Sequence, residues 1–113
     1  MTSRSNDETI ELKRFDKMLL TRDRGERVRT KAERALAAGQ DVVFDFAEVD
    51  VVTPSFADEV FGDLAVALGK ESLRARIRVV HASKEVRHRL AVVVADRLRE
   101  NGGPSAGESV RAR

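Results

Sequence analysis

Asp41-Val-Val-Phe-Asp-Phe46, followed after a short connection by Thr53-Pro-Ser-Phe-Ala-Asp-Glu-Val-Phe-Gly-Asp-Leu-Ala-Val-Ala-Leu68, decides the fold. The first piece is short, β-branched and aromatic, the composition of a strand covered on at least one face. It belongs at the centre of a sheet. In the second piece the Thr53 hydroxyl stands as an N-cap directly before a proline at the first helical position, where the missing N–H costs nothing. Ala57, Val60, Phe61, Leu64, Ala65 and Leu68 then recur at helical spacing, and Gly69 supplies the left-handed position that ends a helix.

Outward from this unit, Asp23 to Ala38 reads as a helix, with Val28, Ala32 and Leu36 at spacing four and Gly39 as its stop. Further upstream, Thr9 to Lys13 alternates like a strand, and Lys17 to Thr21 is its expected hairpin partner across Phe15-Asp16. Downstream, Arg76 to His81 alternates as a strand, and Ser83 caps a last helix through Glu100 with the stripe Val86, Leu90, Val93 and Val94. This order predicts a single α/β domain in which a small, mostly parallel sheet packs with three helices. The domain is expected over residues 8–100, with residues 1–7 and 101–113 disordered because neither end has apolar periodicity. Val42, Phe44, Phe46, Ile77 and Val79 should meet Val60, Phe61, Leu64, Leu68, Val86, Leu90 and Val93 in one core.

Composition narrows the chemistry. Of 113 residues, 42% are hydrophobic and 35% charged, enough for one core, and no apolar run approaches the roughly 18 residues a membrane helix needs. Residues 1–7 lack the order of a secretory signal, so the cytoplasm is the expected location. The absence of cysteine removes disulfides, thiolate nucleophiles and cysteine-rich zinc sites, and His81 and His88 alone offer no metal site. Scattered glycines exclude a phosphate-binding loop, and no Ser/His/Asp arrangement is recognisable, so neither a cofactor nor a catalytic residue is expected. The net charge of +2 hides a segregation: residues 1–38 carry +3, residues 39–68 carry −7 and residues 69–113 carry +6. That two-signed pattern suits a regulatory or binding domain better than a nucleic-acid binder, despite a pI near 9.4.

Two surfaces are candidates for binding. At 100° per residue, the outward arc of the second helix holds Asp58, Gly62, Ser55, Val66 and Glu59, with Asp63 just beyond. A glycine inside a helix and a valine within a polar arc make sense if a partner backbone approaches Gly62, covers Val66 and brings a basic rim to the carboxylates. On the first helix, Arg24, Arg27, Lys31 and Arg34 form a basic stripe suited to phosphates or to an acidic partner, although Glu26 and Glu33 lie nearby and the chain has no Trp or Tyr for base stacking.

Val43-Phe-Asp-Phe46, Val49-Asp-Val-Val52 and Ser55-Phe-Ala-Asp-Glu-Val-Phe-Gly62 together resemble the STAS-like family known as domain of unknown function 4325. Thr21-Arg22, Val80-His81-Ala82 and Glu85-Val86 extend the resemblance to roughly Phe15 through Ala95. It implies a STAS-type fold related to the anti-anti-sigma factors, which exchange partners with GHKL-type ATP-binding serine kinases. Their phosphorylated serine opens the helix after the central strand, where this chain has Thr53-Pro54-Ser55. If their Asp-Ser-Ser falls on those residues, the acceptor position is Pro54, which has no hydroxyl, and Ser55 is the neighbouring candidate acceptor. His81 stands where the family's asparagine is expected. The resulting expectation is a non-enzymatic regulatory module that binds a GHKL-type ATPase or sigma-factor regulator, with a homodimer open to it and no membrane partner. The alternative is a small nucleic-acid-associated factor acting through the basic stripe.

Overall fold

A computed structural model describes residues 7–16 and 18–100. Strand β1 (Asp7–Glu11) leads through a 3₁₀ turn at Leu12–Arg14 to β2 (Met18–Leu19) and helix α1 (Arg22–Ala37). Strands β3 (Asp41–Asp45) and β4 (Val51–Val52) follow. Then comes one continuous helical rod made of α2 (Pro54–Ala57), a π turn (Asp58–Gly62) and α3 (Asp63–Leu68). Helix α4 (Lys70–Arg76), β5 (Ile77–Val80) and α5 (Lys84–Glu100) complete the chain. The expected disordered segments, residues 1–7 and 101–113, lie outside the described residues except for Asp7, which begins β1 instead.

The sheet is parallel in the order β1-β3-β5, with Ile10, Phe44 and Val79 in one register row and Thr9, Val43 and Arg78 in the next. Alternation therefore gives the sheet one apolar face, with Ile10, Val42, Phe44, Ile77 and Val79, and one largely polar face, where Asp7 pairs with Arg78 (3.1 Å). The expected hairpin is not formed. Strand β2 pairs instead in parallel with β4, Met18 opposite Val51 and Leu19 opposite Val52, an arrangement that buries Val52. Expected Lys17 lies outside the described residues.

The caps are formed as the sequence requires. The Phe56 N–H donates to Thr53 Oγ1 (3.2 Å), and the Val86 N–H donates to Ser83 Oγ (3.1 Å). The core is one cluster in which the Phe44 and Phe61 rings meet at a tilt of 59° with centroids 4.7 Å apart, and Val42, Phe46, Val60, Leu64, Val86 and Leu90 are buried with them. Ile77, Val79 and Val93 are only partly buried at its margin, and Leu68 is half-exposed rather than central. Phe56, Ile10, Leu12 and Val52, none of them in the expected core set, join it. The fourth helix, α4, was not expected, and none of its residues is buried.

Replacing Phe44 by Ala removes a fully buried ring and its contact with Phe61, so unfolding free energy measured in urea should fall by about 3–5 kcal/mol. Thr53→Ala should cost about 1 kcal/mol by the same measurement, since the cap to Phe56 is lost. A Thr53→Ala protein as stable as the parent would show that this cap does not set the start of α2.

Candidate functional site

The second helix carries its carboxylates inward to its neighbours. Arg22 of α1 reaches Asp58 (3.7 Å) and Glu59 (3.2 Å). Arg29, two turns further along α1, bonds Glu59 and Asp63 (2.7 Å), and Arg97 of α5 bonds Asp58 (2.9 Å) and Asp63 (2.8 Å). Each arginine thus joins two of these three carboxylates and each carboxylate two arginines, with Glu33 a further partner of Arg29 (3.4 Å), closing a ring that ties α1, the rod around its π turn and α5 together. Arg97 is held above the ordinary guanidinium value, first by its hydrogen bond to Asp58, against the opposing effect of burial. The side chains of Arg29 and Arg97 are 19% and 23% exposed, whereas Arg22 is 59% exposed and is the ring's outermost link.

Two glycines permit this approach. A Cβ on Gly25 would stand 2.9 Å from Glu59 Cβ, and one on Gly62 would stand 2.7 Å from Asp58 Oδ1 and 2.9 Å from Arg97 Cγ. The expectation of an open Gly62 is therefore corrected: this glycine is buried, and the close neighbour it admits is α5 of the same chain. The basic rim expected of a partner is likewise supplied internally to Asp58, Glu59 and Asp63. Val66, on the following turn, remains exposed, as does Ser55 at the other end of the rod.

Around Ser55 the surface has a different character. Thr53 Oγ1 donates to the Leu20 carbonyl (3.1 Å) while accepting from Phe56, so its hydroxyl is committed to the turn, and Pro54 and Ser55 face outward. A shallow cleft of about 270 Å³ opens there, lined by Arg22, Pro54, Ser55, Asp58, Val93, Asp96, Arg97 and Glu100. Beside it, the outer face of the β2–β4 ribbon exposes Met18 (48%), Leu20 (42%) and Val51 (40%). Sequence reading missed this apolar strip because alternation over two-residue strands gives no period.

The basic stripe of α1 is only partly open. Arg24 bonds the Phe15 carbonyl and lies 3.6 Å from Asp16, Lys31 lies 4.0 Å from Glu8, and Arg27 and Arg34 are exposed. At the C-terminal edge of the sheet, His81 Nδ1 lies 3.0 Å from Asp45 Oδ1, an adjacency set by the β3–β5 register. His81 adopts a left-handed backbone (φ 59°) at this point. The Asp45 carboxyl is held below its ordinary value of 3.8, first by the Ala47 N–H (2.9 Å) and then by His81. No group of three or more potential metal ligands occurs among the described residues. No helix among them is long and apolar enough to cross a membrane.

Two measurements check this geometry. Arg29→Ala leaves Glu59 and Asp63 short of a partner in a sheltered position and should cost about 1–3 kcal/mol, while Arg22→Ala at the exposed link should cost under about 1 kcal/mol. Equal losses would show that the ring does not act through burial. For Asp45→Asn, the parent's advantage in urea unfolding should be about 1 kcal/mol at neutral pH. Since the folded carboxyl titrates below 3.8, that advantage is fully present above this value and should vanish as pH falls through the depressed folded value.

Residues 24–87, more than half of the chain, match the family model described as a STAS-like domain of unknown function, DUF4325. The match runs from the first turn of α1 into the first turn of α5, a shorter span than the resemblance drawn from motifs, and includes Arg29, the Ser55 turn, Asp58, Glu59, Asp63, Asp45 and His81. Comparison with curated proteins and with solved structures returns no match. The chain belongs to the STAS-like DUF4325 family.

Proposed function

We propose that this STAS-like domain is a non-enzymatic regulatory module that docks another protein on the end of the molecule where the β2–β4 ribbon meets the Ser55 turn. The observation that carries this reading is the exposed apolar strip of Met18, Leu20 and Val51, adjoining a polar cleft at Arg22, Pro54 and Ser55. An apolar centre with a polar, charged rim is the usual anatomy of a protein–protein contact. The kinship implied by a STAS-like fold makes a GHKL-type ATPase or a sigma-factor regulator the partner class. Ser55, exposed beside Arg22, is the candidate acceptor should that partner be a kinase, and Thr53 is committed to the turn. Within the originally expected face, Ser55 and Val66 keep their exposure, and Asp58 and Glu59 contribute by shaping the cleft and holding Arg22. The nucleic-acid alternative has less support, because Arg24 and Lys31 of the basic stripe already face polar groups of the chain's first segment.

Val51→Glu places a charge in the strip without entering the core. It should leave the thermal melt nearly unchanged and weaken binding to a partner identified by co-purification from the native host by about tenfold or more, or about 1.4 kcal/mol. Unchanged affinity for that partner would remove the ribbon from the interface. Intact-mass measurement on protein purified from that host checks Ser55: an added phosphate localised there would make the module a switch rather than a constitutive binder.

A further inference from the structure

The cleft beside the apolar strip has a charge balance that specifies what its occupant must carry. Its two arginines are already engaged: Arg97 by Asp58 and Asp63, and Arg22 by Asp58 and Glu59. What remains is acidic. Asp96 and Glu100 stand at i and i+4 on one face of α5, Asp96 paired with Arg99, which does not line the cleft, and Glu100 exposed with no ion pair among the described residues. The apolar part of the lining is Pro54 and half-buried Val93. At about 270 Å³ the cleft lies below the roughly 300–1,000 Å³ usual for small-molecule sites, which suits one long side chain entering from a larger partner.

Resting on the docking reading above, we infer that the partner seats apolar residues on Met18, Leu20 and Val51 and places a lysine or arginine in this cleft. The aliphatic stem packs on Pro54 and Val93 while the cationic head meets Asp96 and Glu100. The arrangement selects against an acidic partner twice over, since no arginine lining the cleft is left unneutralised and a carboxylate entering it would face Asp58, Asp96 and Glu100 together.

The test is a selection of displayed random peptides on the full chain, with every enriched peptide remeasured on Val51→Glu and on the Asp96→Asn, Glu100→Gln double variant. Peptides that compete at the strip should combine apolar residues with Lys or Arg. They should lose about tenfold or more in affinity on the double variant, and equally on the parent protein when their arginine is replaced by citrulline, which keeps the shape and removes the charge. Peptides that depend on Val51 yet carry acidic or uncharged residues, or that tolerate both the double variant and citrulline, would overturn the basic anchor and leave the docking face standing. Enrichment with no dependence on Val51 would overturn the docking face and the anchor with it.

Discussion

Three carboxylates within six residues of one helix, Asp58, Glu59 and Asp63, repel one another unless cations arrive from both sides, and the packing of α1 and α5 follows from that need. Arg22 and Arg29 come from one side and Arg97 from the other, so the ring closes only when both helices lie against the π turn. Gly25 and Gly62 are the matching steric conditions: a Cβ at Gly25 would press on Glu59 Cβ, and one at Gly62 would intrude on the Asp58–Arg97 pair. Half-sheltered pairs of this kind add little net stability over apolar contacts of the same shape, yet they penalise any arrangement that leaves one member alone. The ring therefore acts chiefly on helix placement, while Phe44, Phe46 and Phe61 supply the attraction.

The charge segregation along the chain takes its meaning from the same pairing. Of the acids in residues 39–68, Asp41 meets Arg76, Asp45 meets His81, Glu48 meets Lys13, and Asp58, Glu59 and Asp63 meet the three ring arginines. The positive segments flank the negative one in sequence because they neutralise it in space. A basic pI here measures a small excess after internal pairing, which is why it carries little information about an external polyanion.

Those elements whose signals are local were legible. Asp41–Asp45 is apolar and β-branched enough to be a strand in any context, and the Thr53 and Ser83 caps announce their helices through single side chains. Elements defined by tertiary placement were not. Helix α4, Lys-Glu-Ser-Leu-Arg-Ala-Arg, has too few apolar residues for a period, and Gly69, read as a stop, is also the residue from which the next helix departs (φ 85°). The parallel pairing of β2 with β4 rests on residues more than thirty positions apart and two residues per strand. At the candidate site, a wheel of constant 100° placed Gly62 on the outward arc of the second helix. It failed because a π turn changes the period at Asp58–Gly62 and because α5 covers that arc with Arg97, a residue that sequence alone marks only as the basic end of the last helix.

The proposed docking end owes its geometry to constraints made elsewhere. On one side, Thr53 fastens the turn to the residue after β2 through the Leu20 carbonyl and opens α2 through Phe56, while proline at 54 fixes the backbone between them. On the other, Arg22 and Arg97 are held by the ring a few residues from the cleft they line. Ser55 and the apolar strip are thus displayed on a frame whose backbone conformation is determined before any partner arrives. Association then spends little free energy on ordering the turn, so a contact of modest apolar area can suffice for recognition. The same frame explains why the exposed polar groups here differ in role: the Thr53 hydroxyl builds the surface, whereas the Ser55 hydroxyl, one turn outside the ring, is presented by it.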